Sequence, residues 1–241
     1  MALKLGVPSK GRLMEQCFAW FGARGVELVR DGGAREYAGA VRGVAGVELV
    51  LLSAGEIPRE LAAGRLHMGV TGSDLVREKI PRWQTRVVAL APMGFGHADL
   101  VIAVPDAWVD VTTLDDLDAV AAAFRARHGF RLRIATKYHR LVREFLRAAG
   151  VAEYQLVDSQ GATEGAVRNE TAEAVADITS SGETLRDNHL RVLDDGLIHA
   201  SEATLFAARG AAWGAAERAA FADLAGRLAL AGPAPWAASG G

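Results

Sequence analysis

Residues Ala174 to Leu185, AVADITSSGETL, join an apolar run, an acid and a turn of small hydroxyl residues around a glycine. The run 174–178 predicts a short buried strand, and Thr184 lies at the opening of a predicted helix. The turn between them would direct backbone N–H groups and hydroxyls at one point, where a helix N-terminus favours an anion. Asp177, at the strand end, is placed to accept hydrogen bonds from the vicinal hydroxyls of a ribose. The segment equally fits an ordinary strand followed by a Ser/Thr helix cap.

Outward from this segment, strands and helices alternate at short intervals, a pattern that favours a mostly parallel α/β sheet. Strands are predicted at 3–7, 67–71, 87–90, 100–104, 132–136, 155–157 and 203–208, with two or three more in 26–52. Helices are predicted at 12–23, 57–63, 114–128, 141–149, 164–169 and 211–230. Thr113 and Asp116 have the spacing of a capping box.

A composition break at residues 91–96 predicts that the chain crosses there into a second lobe. We therefore expect residues 1–91 and 196–241 to form a discontinuous first domain. Residues 92–195 should form the second domain, which would carry the Asp177 turn. The tail after Leu230 has the composition of a linker.

Composition excludes several classes of protein. The chain has 241 residues, half of them apolar, and a formal net charge of −2, which argues against a nucleic-acid surface. Nothing approaches the ~20 apolar residues of a membrane span, and Pro8 interrupts the first apolar run, so we expect a cytoplasmic protein. The single cysteine, Cys17, lies on the apolar face of the first predicted helix and is expected to be a core residue. Neither a helical His/Glu metal pair nor a Gly-x-Ser-x-Gly hydrolase elbow occurs.

Ligands of open parallel sheets bind at the carboxyl ends of the strands, and four predicted strand ends carry polar residues. The first has two cations beside a glycine that lets the backbone approach a ligand, and the others combine glycine, hydroxyl or lysine residues. Each, taken alone, equally fits surface charge or a helix cap. The four turns are Pro8–Arg12, with Lys10, Gly11 and Arg12; Gly69–Asp74, with Gly72, Ser73 and Asp74; Ala135–Tyr138, with Lys137; and 176–185.

Taken in order, these turns resemble the ATP phosphoribosyltransferase family, which opens histidine biosynthesis. The resemblance covers roughly residues 3 to 208. Its matching pieces are VPSKGRL (7–13), GVTGSD (69–74), GFG (94–96), ATKY (135–138), GATE (161–164) and DITSSGETL (177–185).

The resemblance implies a two-lobed α/β fold, similar to type II periplasmic binding proteins, with the active site in the interdomain cleft. ATP and phosphoribosyl pyrophosphate would meet there with Mg²⁺ held by substrate phosphates rather than by protein side chains. The adenine N1 would displace pyrophosphate at the anomeric carbon. The implied catalytic residues are Lys10, Arg12 and Glu164. Phosphoribosyl pyrophosphate would be bound by Asp177, Thr179, Ser180, Ser181, Gly182, Glu183 and Thr184. ATP or its phosphates would be bound by Gly11, Gly72, Ser73, Asp74 and Lys137.

The sequence departs from the family pattern at several positions. Glu56 stands where the family more often has Asp, Ser53 where Arg is common, and Glu173 and Val167 where Asp and Pro are frequent. These departures bear on the ATP contacts more than on the phosphoribosyl contacts, since Asp177 and the turn after it match.

The chain ends before a regulatory domain such as the long form of the family carries, and so it resembles the short form. The family pairs that form with a regulatory subunit similar to a histidyl-tRNA synthetase. Trp213 or Phe221 could contribute to an apolar surface for such a partner, or could equally be core residues. Two alternatives stay open. One is another phosphoribosyltransferase, although those loops usually have two adjacent acids and here Ala176 precedes Asp177. The other is a non-catalytic bilobal solute-binding or effector-sensing domain.

Overall fold

The computed structural model describes residues 2–30, 38–159 and 163–237. Its strands are β1 (Leu3–Pro8), β2 (Glu27–Arg30), β3 (Ala38–Arg42), β4 (Val47–Leu52), β5 (Met68–Gly72), β6 (Val87–Pro92), β7 (Ala98–Pro105), β8 (Leu132–Thr136), β9 (Tyr154–Asp158), β10 (Ala174–Thr179), β11 (Leu190–Ser201) and β12 (Ala203–Ala208). Its α-helices are α1 (Gly11–Gly22), α2 (Ile57–Ala62), α3 (Ser73–Lys79), α4 (Leu114–His128), α5 (His139–Ala148), α6 (Gly165–Arg168), α7 (Glu183–Asp187) and α8 (Ala215–Arg227), and Trp83–Thr85 form a 3-10 turn.

The chain divides into two compact units, Met1–Gly96 with Glu202–Gly241, and His97–Ser201. The expected boundaries lay a few residues earlier, at 91/92 and 195/196. Hydrogen bonds from Met93 N–H to Ala203 O (3.0 Å) and from Ala203 N–H to Phe95 O (2.9 Å) tie the segment after β6 to the first unit. Strand β11 pairs with β7 as far as Ser201, which keeps residues 196–201 in the second unit.

Each unit is built on one mixed sheet. Within the described residues the first unit has the strand order β2-β3-β4-β1-β5-β12-β6, and the second has β11-β7-β10-β8-β9. Each sheet has a parallel core of three strands among the described residues. In the first sheet the core is β4-β1-β5, and in the second it is β10-β8-β9. The prediction of a mostly parallel sheet is therefore wrong, because antiparallel strands flank each parallel core.

Helix α1 shows how the sequence pattern fixes the packing of the first unit. Cys17 and Phe21, four residues apart on one face, are fully buried against the sheet. Burial raises the pKa of the Cys17 thiol to about 12, so the thiol stays protonated at neutral pH. The prediction that Cys17 is a core residue is confirmed.

Trp213 and Phe221 also belong to the core of the first unit. Both side chains are buried, their rings stack edge to face at 5.5 Å, and Trp213 Nε1–H donates to Ala208 O at 2.8 Å. Of the two possibilities that the sequence left open for these residues, a core position and a partner-facing surface, the burial of both side chains favours the core. Residues 211–214 do not join the final helix as predicted. Helix α8 begins only after Gly214, whose extended backbone (φ −72°, ψ 178°) caps it.

The second unit contains a predicted feature and an unpredicted one. The capping box of α4 is present: Thr113 Oγ1 accepts from Asp116 N–H at 3.3 Å, and Thr113 N–H donates to Asp116 Oδ2 at 2.9 Å. Strand β11 was not predicted. Its pairing with β7 shifts register between Val192 and Leu197, where Asp194, Asp195 and Gly196 interrupt the apolar alternation. No helix in the described part of the chain is long and apolar enough to cross a membrane.

Candidate functional site

Strands β8, β9 and β10 bring three chain segments to one edge of the second sheet. Ala176 pairs with Thr136, and Thr136 pairs with Asp158, all in parallel register. The segments that follow therefore leave the sheet side by side: Lys137 after β8, Ser159 after β9 and the turn after β10. This clustering at the carboxyl ends of parallel strands is the usual position of a ligand site in α/β proteins.

The turn after β10 is held open by its own hydrogen bonds. Gly182 has φ 71° and ψ 0°, a left-handed conformation that glycine adopts without strain. Its N–H donates to Thr179 Oγ1 at 2.9 Å, and Glu183 N–H donates to Ser181 Oγ at a longer 3.3 Å. The side chains of the turn are largely exposed: Ser180, Ser181, Glu183 and Thr184. The turn therefore presents hydroxyls and the weakly bonded N–H of Glu183, which suit the oxygens of a phosphate.

Asp177 lies one residue beyond the last pair that β10 makes with β8. Its side chain is half-buried, and its Oδ1 accepts a hydrogen bond from Ile178 N–H at 2.9 Å. That bond uses one carboxylate oxygen and leaves Oδ2 for a ligand hydroxyl.

Other predicted residues of this unit lie at the same edge. Lys137 is exposed directly after β8, in a turn where Tyr138 N–H donates to Thr136 Oγ1 at 2.9 Å. Glu164 is half-buried at the start of α6. The preceding Thr163 is buried, and its Oγ1 lies 2.8 Å from Ser159 Oγ. Gly161 and Ala162 of the GATE piece lie outside the described residues.

Two polar residues of this edge were missed by sequence reasoning. His139 Nε2 lies 2.5 Å from Asp158 Oδ1, which joins the start of α5 to the end of β9. The sequence did contain a signal for both residues. His139 directly follows the ATKY piece at the start of a helix, and Asp158 directly follows the apolar run of β9 at its end.

The first unit has an equivalent edge, where β4, β1 and β5 end. Gly11 follows β1 with φ 71°, and a Cβ there would have open space around it, so only the backbone conformation demands glycine. Lys10 and Arg12 are exposed on either side, and neither forms an ion pair with a residue of the described ranges. Two exposed cations with no counterion among the described residues therefore flank Gly11 at this strand end.

Gly72, Ser73 and Asp74 follow β5 at this edge. Gly72 caps α3 with an extended backbone, Ser73 N–H donates to Glu202 O at 3.1 Å, and Asp74 is buried. The N–H of Ser73 is thus already used, whereas its half-buried side chain lies at the strand end.

The loop between β4 and α2 is the third segment at this edge, and it contains two of the departures noted in the sequence. Glu56 Oε2 accepts hydrogen bonds from Ser53 Oγ–H (2.6 Å) and Ser53 N–H (3.0 Å), and these bonds lower the pKa of Glu56. Thr71 Oγ1 donates to Ala54 O at 2.8 Å, and Lys79 Nζ donates to Gly55 O at 2.7 Å. Burial, reinforced by the charge of nearby Arg59, lowers the pKa of Lys79.

Glu173 has a structural role at the opposite edge of the second sheet. Its carboxylate accepts from Arg133 N–H at 2.7 Å and forms an ion pair with Arg133 Nη2 at 2.5 Å, beside the first residues of β8 and β10. This departure from the family pattern therefore lies away from the Asp177 turn. Among the described residues, no group of three or more His, Cys, Asp or Glu side chains is placed to hold a metal ion.

Comparison with solved structures identifies the class of fold. The chain is similar to an ATP phosphoribosyl transferase (HisG:HisZ) complex from Thermotoga maritima, with a TM-score of 0.67 and 20% identity, covering 94% of this chain and 96% of that one. It is also similar to a histidine kinase sensor domain with similarity to periplasmic binding proteins, with a TM-score of 0.52 and 12% identity, covering 95% and 89%. The fold is the two-lobed α/β fold of type II periplasmic binding proteins.

Sequence comparison gives the family. The model "HisG: ATP phosphoribosyltransferase" matches residues 53–229. An ATP phosphoribosyltransferase of Cereibacter sphaeroides is 72% identical over 95% of this chain and 97% of its own. A relative of the same name from a Bradyrhizobium strain is 52% identical over 88% of this chain and 65% of its own length.

The chain belongs to the ATP phosphoribosyltransferase family. Its function is transfer of the phosphoribosyl group of phosphoribosyl pyrophosphate to N1 of ATP with release of pyrophosphate, the first step of histidine biosynthesis. Enzymes of this family act with a divalent metal ion. The match disfavours both alternatives that the sequence left open, another phosphoribosyltransferase and a non-catalytic binding domain.

Proposed function

We propose that the turn after β10 binds the phosphoribosyl group and that Lys10 and Arg12 neutralise the departing pyrophosphate. The observation that carries this proposal is the turn itself. Its left-handed Gly182 and the exposed hydroxyls of Ser180, Ser181 and Thr184 stand at the carboxyl end of a strand. A phosphate monoester is the ligand that such a set of donors fits best.

Within the turn, each group has a distinct role. Asp177 accepts hydrogen bonds from the ribose hydroxyls through its carboxylate. The 5-phosphate accepts hydrogen bonds from the hydroxyls of Ser180, Ser181 and Thr184. Glu183 contributes its backbone N–H, since its carboxylate would repel the phosphate and its present hydrogen bond of 3.3 Å is long enough to be exchanged readily. Gly182 supplies the turn conformation, and Thr179 Oγ1 holds it by accepting from Gly182 N–H.

Transfer breaks the bond from the anomeric carbon to the pyrophosphate oxygen and forms one to adenine N1. The bonding electron pair leaves with pyrophosphate, and N1 attacks with its free lone pair, so no proton transfer precedes bond formation. Catalysis then depends on alignment and on stabilising the charge that grows on the leaving group. Lys10 and Arg12 supply that stabilisation as exposed cations without a counterion in the described ranges, and Gly11 lets a phosphate approach the backbone.

We assign the remaining residues to ATP. Lys137 contacts its phosphates, and Gly72, Ser73 and Asp74 line its binding surface at the end of β5. Asp74 is buried and acts by shaping that turn rather than by direct contact. Glu164 orients the adenine or its ribose.

The metal ion of this family is Mg²⁺ in our proposal. The oxygens of the substrate phosphates are hard ligands of the kind that Mg²⁺ prefers, and we expect them, rather than protein side chains, to hold the ion. When bound there, Mg²⁺ neutralises phosphate charge. The reaction consumes ATP, and we propose that the chain works in the cytoplasm.

The test is steady-state kinetics of Asp177→Ala and Thr184→Ala, with pyrophosphate release as the signal. Losing a hydrogen bond to a charged group costs about 1.5–3 kcal/mol, which raises KM for phosphoribosyl pyrophosphate roughly 10- to 150-fold. The KM for ATP should change much less. Asp187→Ala, which removes an exposed acid at the far end of α7, is the matched control and should resemble the wild type. Near-normal rates of both variants at limiting phosphoribosyl pyrophosphate would remove the site assignment.

We also propose that the chain assembles with a regulatory subunit similar to a histidyl-tRNA synthetase. The observation that supports this is that the similar Thermotoga maritima structure is a HisG:HisZ complex. Titrating the purified chain with the purified candidate subunit, with and without histidine, tests it. We expect the chain alone to be weakly active and insensitive to histidine, and the subunit to confer both activation and inhibition. Full activity with histidine inhibition in the chain alone would contradict this.

A further inference from the structure

A cavity of about 610 Å³ lies in the second unit, outside the edge that carries the Asp177 turn. It is bounded by the exposed face of α5, the loop that follows and the strand β9. Strand β9 is the last of its sheet, so the N–H and C=O groups on its outer side are not paired with another strand within the described residues. We call this cavity the arginine pocket after three residues that line it: Arg131, Arg143 and Arg147.

Two of the three arginines of the arginine pocket have no ion-pair partner in the part of the chain that the structure describes. Arg143 and Arg147 are exposed and form no ion pair with a residue of the described ranges. Glu153, which lies in sequence between the lining residues Ala152 and Tyr154, is already shared by Arg125 and Arg131. Glu144 lies on the same helix and pairs with Arg140 at 4.0 Å. Two like charges four residues apart destabilise a helix, so an anion between them would relieve the repulsion.

Tyr154 also lines this cavity. Burial raises the pKa of this phenol, and the charges of Arg143 and Arg147 act in the opposite direction. The residues that line this one cavity therefore include two guanidinium groups and an O–H donor. Such a set of donors matches an acceptor with several oxygens, because guanidinium binds phosphate in a bidentate manner.

We propose that the arginine pocket binds a phosphate-bearing anion the size of a polyphosphate or a nucleotide, held by Arg143 and Arg147 with Arg131 at the rim. The cavity volume lies within the usual range for small-molecule sites. A protein strand is a poorer fit, because β9 has only five residues and three arginines line the cavity beside it. The site is separate from the catalytic residues assigned above, and the proposal does not depend on them.

The test is calorimetric titration of the full chain with tripolyphosphate at about 0.15 M salt, where weak surface attraction is screened. The double variant Arg143→Gln/Arg147→Gln should bind one equivalent less than the wild type and keep its kinetic constants for both substrates. Arg127→Gln/Arg168→Gln removes the same charge from exposed positions of the same unit and should bind like the wild type. Tyr154→Phe, which removes one hydroxyl, should weaken binding several-fold without a change in stoichiometry.

Several outcomes would overturn the proposal. One is unchanged stoichiometry and affinity in a double variant that has the circular dichroism of the wild type. Another is an equal loss in the Arg127→Gln/Arg168→Gln control, which would make the binding a matter of net charge. If the double variant does not fold, unaltered affinity in Tyr154→Phe would count against the pocket. Binding of oligoglutamate with none of tripolyphosphate would mark the surface as a docking site for an acidic protein segment instead.

Discussion

Gly182 offers the sharpest test of the turn after β10, because its cost on substitution can be worked out from its geometry. Its φ of 71° is in the left-handed region, where an alanine costs about 1–2 kcal/mol. An added Cβ would lie 2.8 Å from Arg186 Nη1. The guanidinium can move aside, but only by giving up its hydrogen bond to Ser181 O, worth about 0.5–1.5 kcal/mol. Lower entropy of the unfolded chain returns about 0.4–1 kcal/mol.

The net loss for Gly182→Ala is thus about 0.5–3 kcal/mol, or about 1–12 °C in melting temperature for a chain of this size. Gly129→Ala is the matched control. Gly129 caps α4 with φ 77° and ψ 0°, and a Cβ there meets no atom within 4 Å, so the backbone cost is the same without a clash. Gly182→Asn should recover part of the loss, because asparagine tolerates the left-handed region.

Melting curves and the KM for phosphoribosyl pyrophosphate should be measured on all three variants. We expect both alanine variants to have a lower melting temperature. Only Gly182→Ala should raise the KM for phosphoribosyl pyrophosphate, roughly tenfold or more, because the backbone N–H groups of the turn shift. A KM that rises equally in Gly129→Ala would assign the effect to lost stability. A Gly182→Ala enzyme with normal KM would refute the reasoning, since the turn conformation would then not matter to the substrate.

Three further predictions address separate parts of the molecule. Lys10→Met should lower kcat roughly 10²- to 10³-fold while Lys4→Met, at an exposed position on β1, does not; a change in KM alone would show that Lys10 only binds. The hydroxyl of Thr113 and nearby N–H groups lower the pKa of Asp116 from 3.8 to about 2. Its contribution to stability is therefore present above about pH 4 and lost as the pH falls through about 2, and Asp116→Asn should flatten the acid unfolding curve over that window. The thiol of Cys17 should react with a soluble disulfide reagent only after unfolding, and fast reaction of the native chain would contradict its burial.

Local patterns in the sequence predicted most of the elements but not the way they pair. Helix α4, with its capping box, and strands β8 and β12 were predicted with the residues they have in the structure. The mixed sheets were not predicted, because strand direction depends on contacts between distant segments. Strand β11 was missed for a local reason, since the polar residues Asp194 and Asp195 face outward at a register shift and break the alternation that marks a strand.

For the candidate site, the sequence predicted which residues lie at the strand ends but not which of their polar atoms already form hydrogen bonds. Glycine, hydroxyl and lysine residues at strand ends indicated the two sheet edges, because parallel strands bring their carboxyl ends together. The sequence did not indicate which polar atoms are already used. Ser73 N–H is occupied by Glu202 O, and Thr179 Oγ1 holds Gly182, so their contributions differ from those of the exposed Ser180 and Thr184.

The departures at Ser53 and Glu56 form one structural unit. Both hydrogen bonds of Ser53, from its N–H and its hydroxyl, end on the same oxygen of Glu56. An aspartate at position 56 is one methylene shorter and would reach Ser53 less readily, whereas an arginine at 53 has no short hydroxyl to offer. The two intervening carbonyls of this loop accept hydrogen bonds from Thr71 on β5 and Lys79 on α3. The loop backbone is therefore held both by the Ser53–Glu56 bonds and by the neighbouring strand and helix. The loop can therefore keep its shape at the end of β4 with a different pair of side chains, and the change in sequence does not require a change in the edge that β1 and β5 share with it.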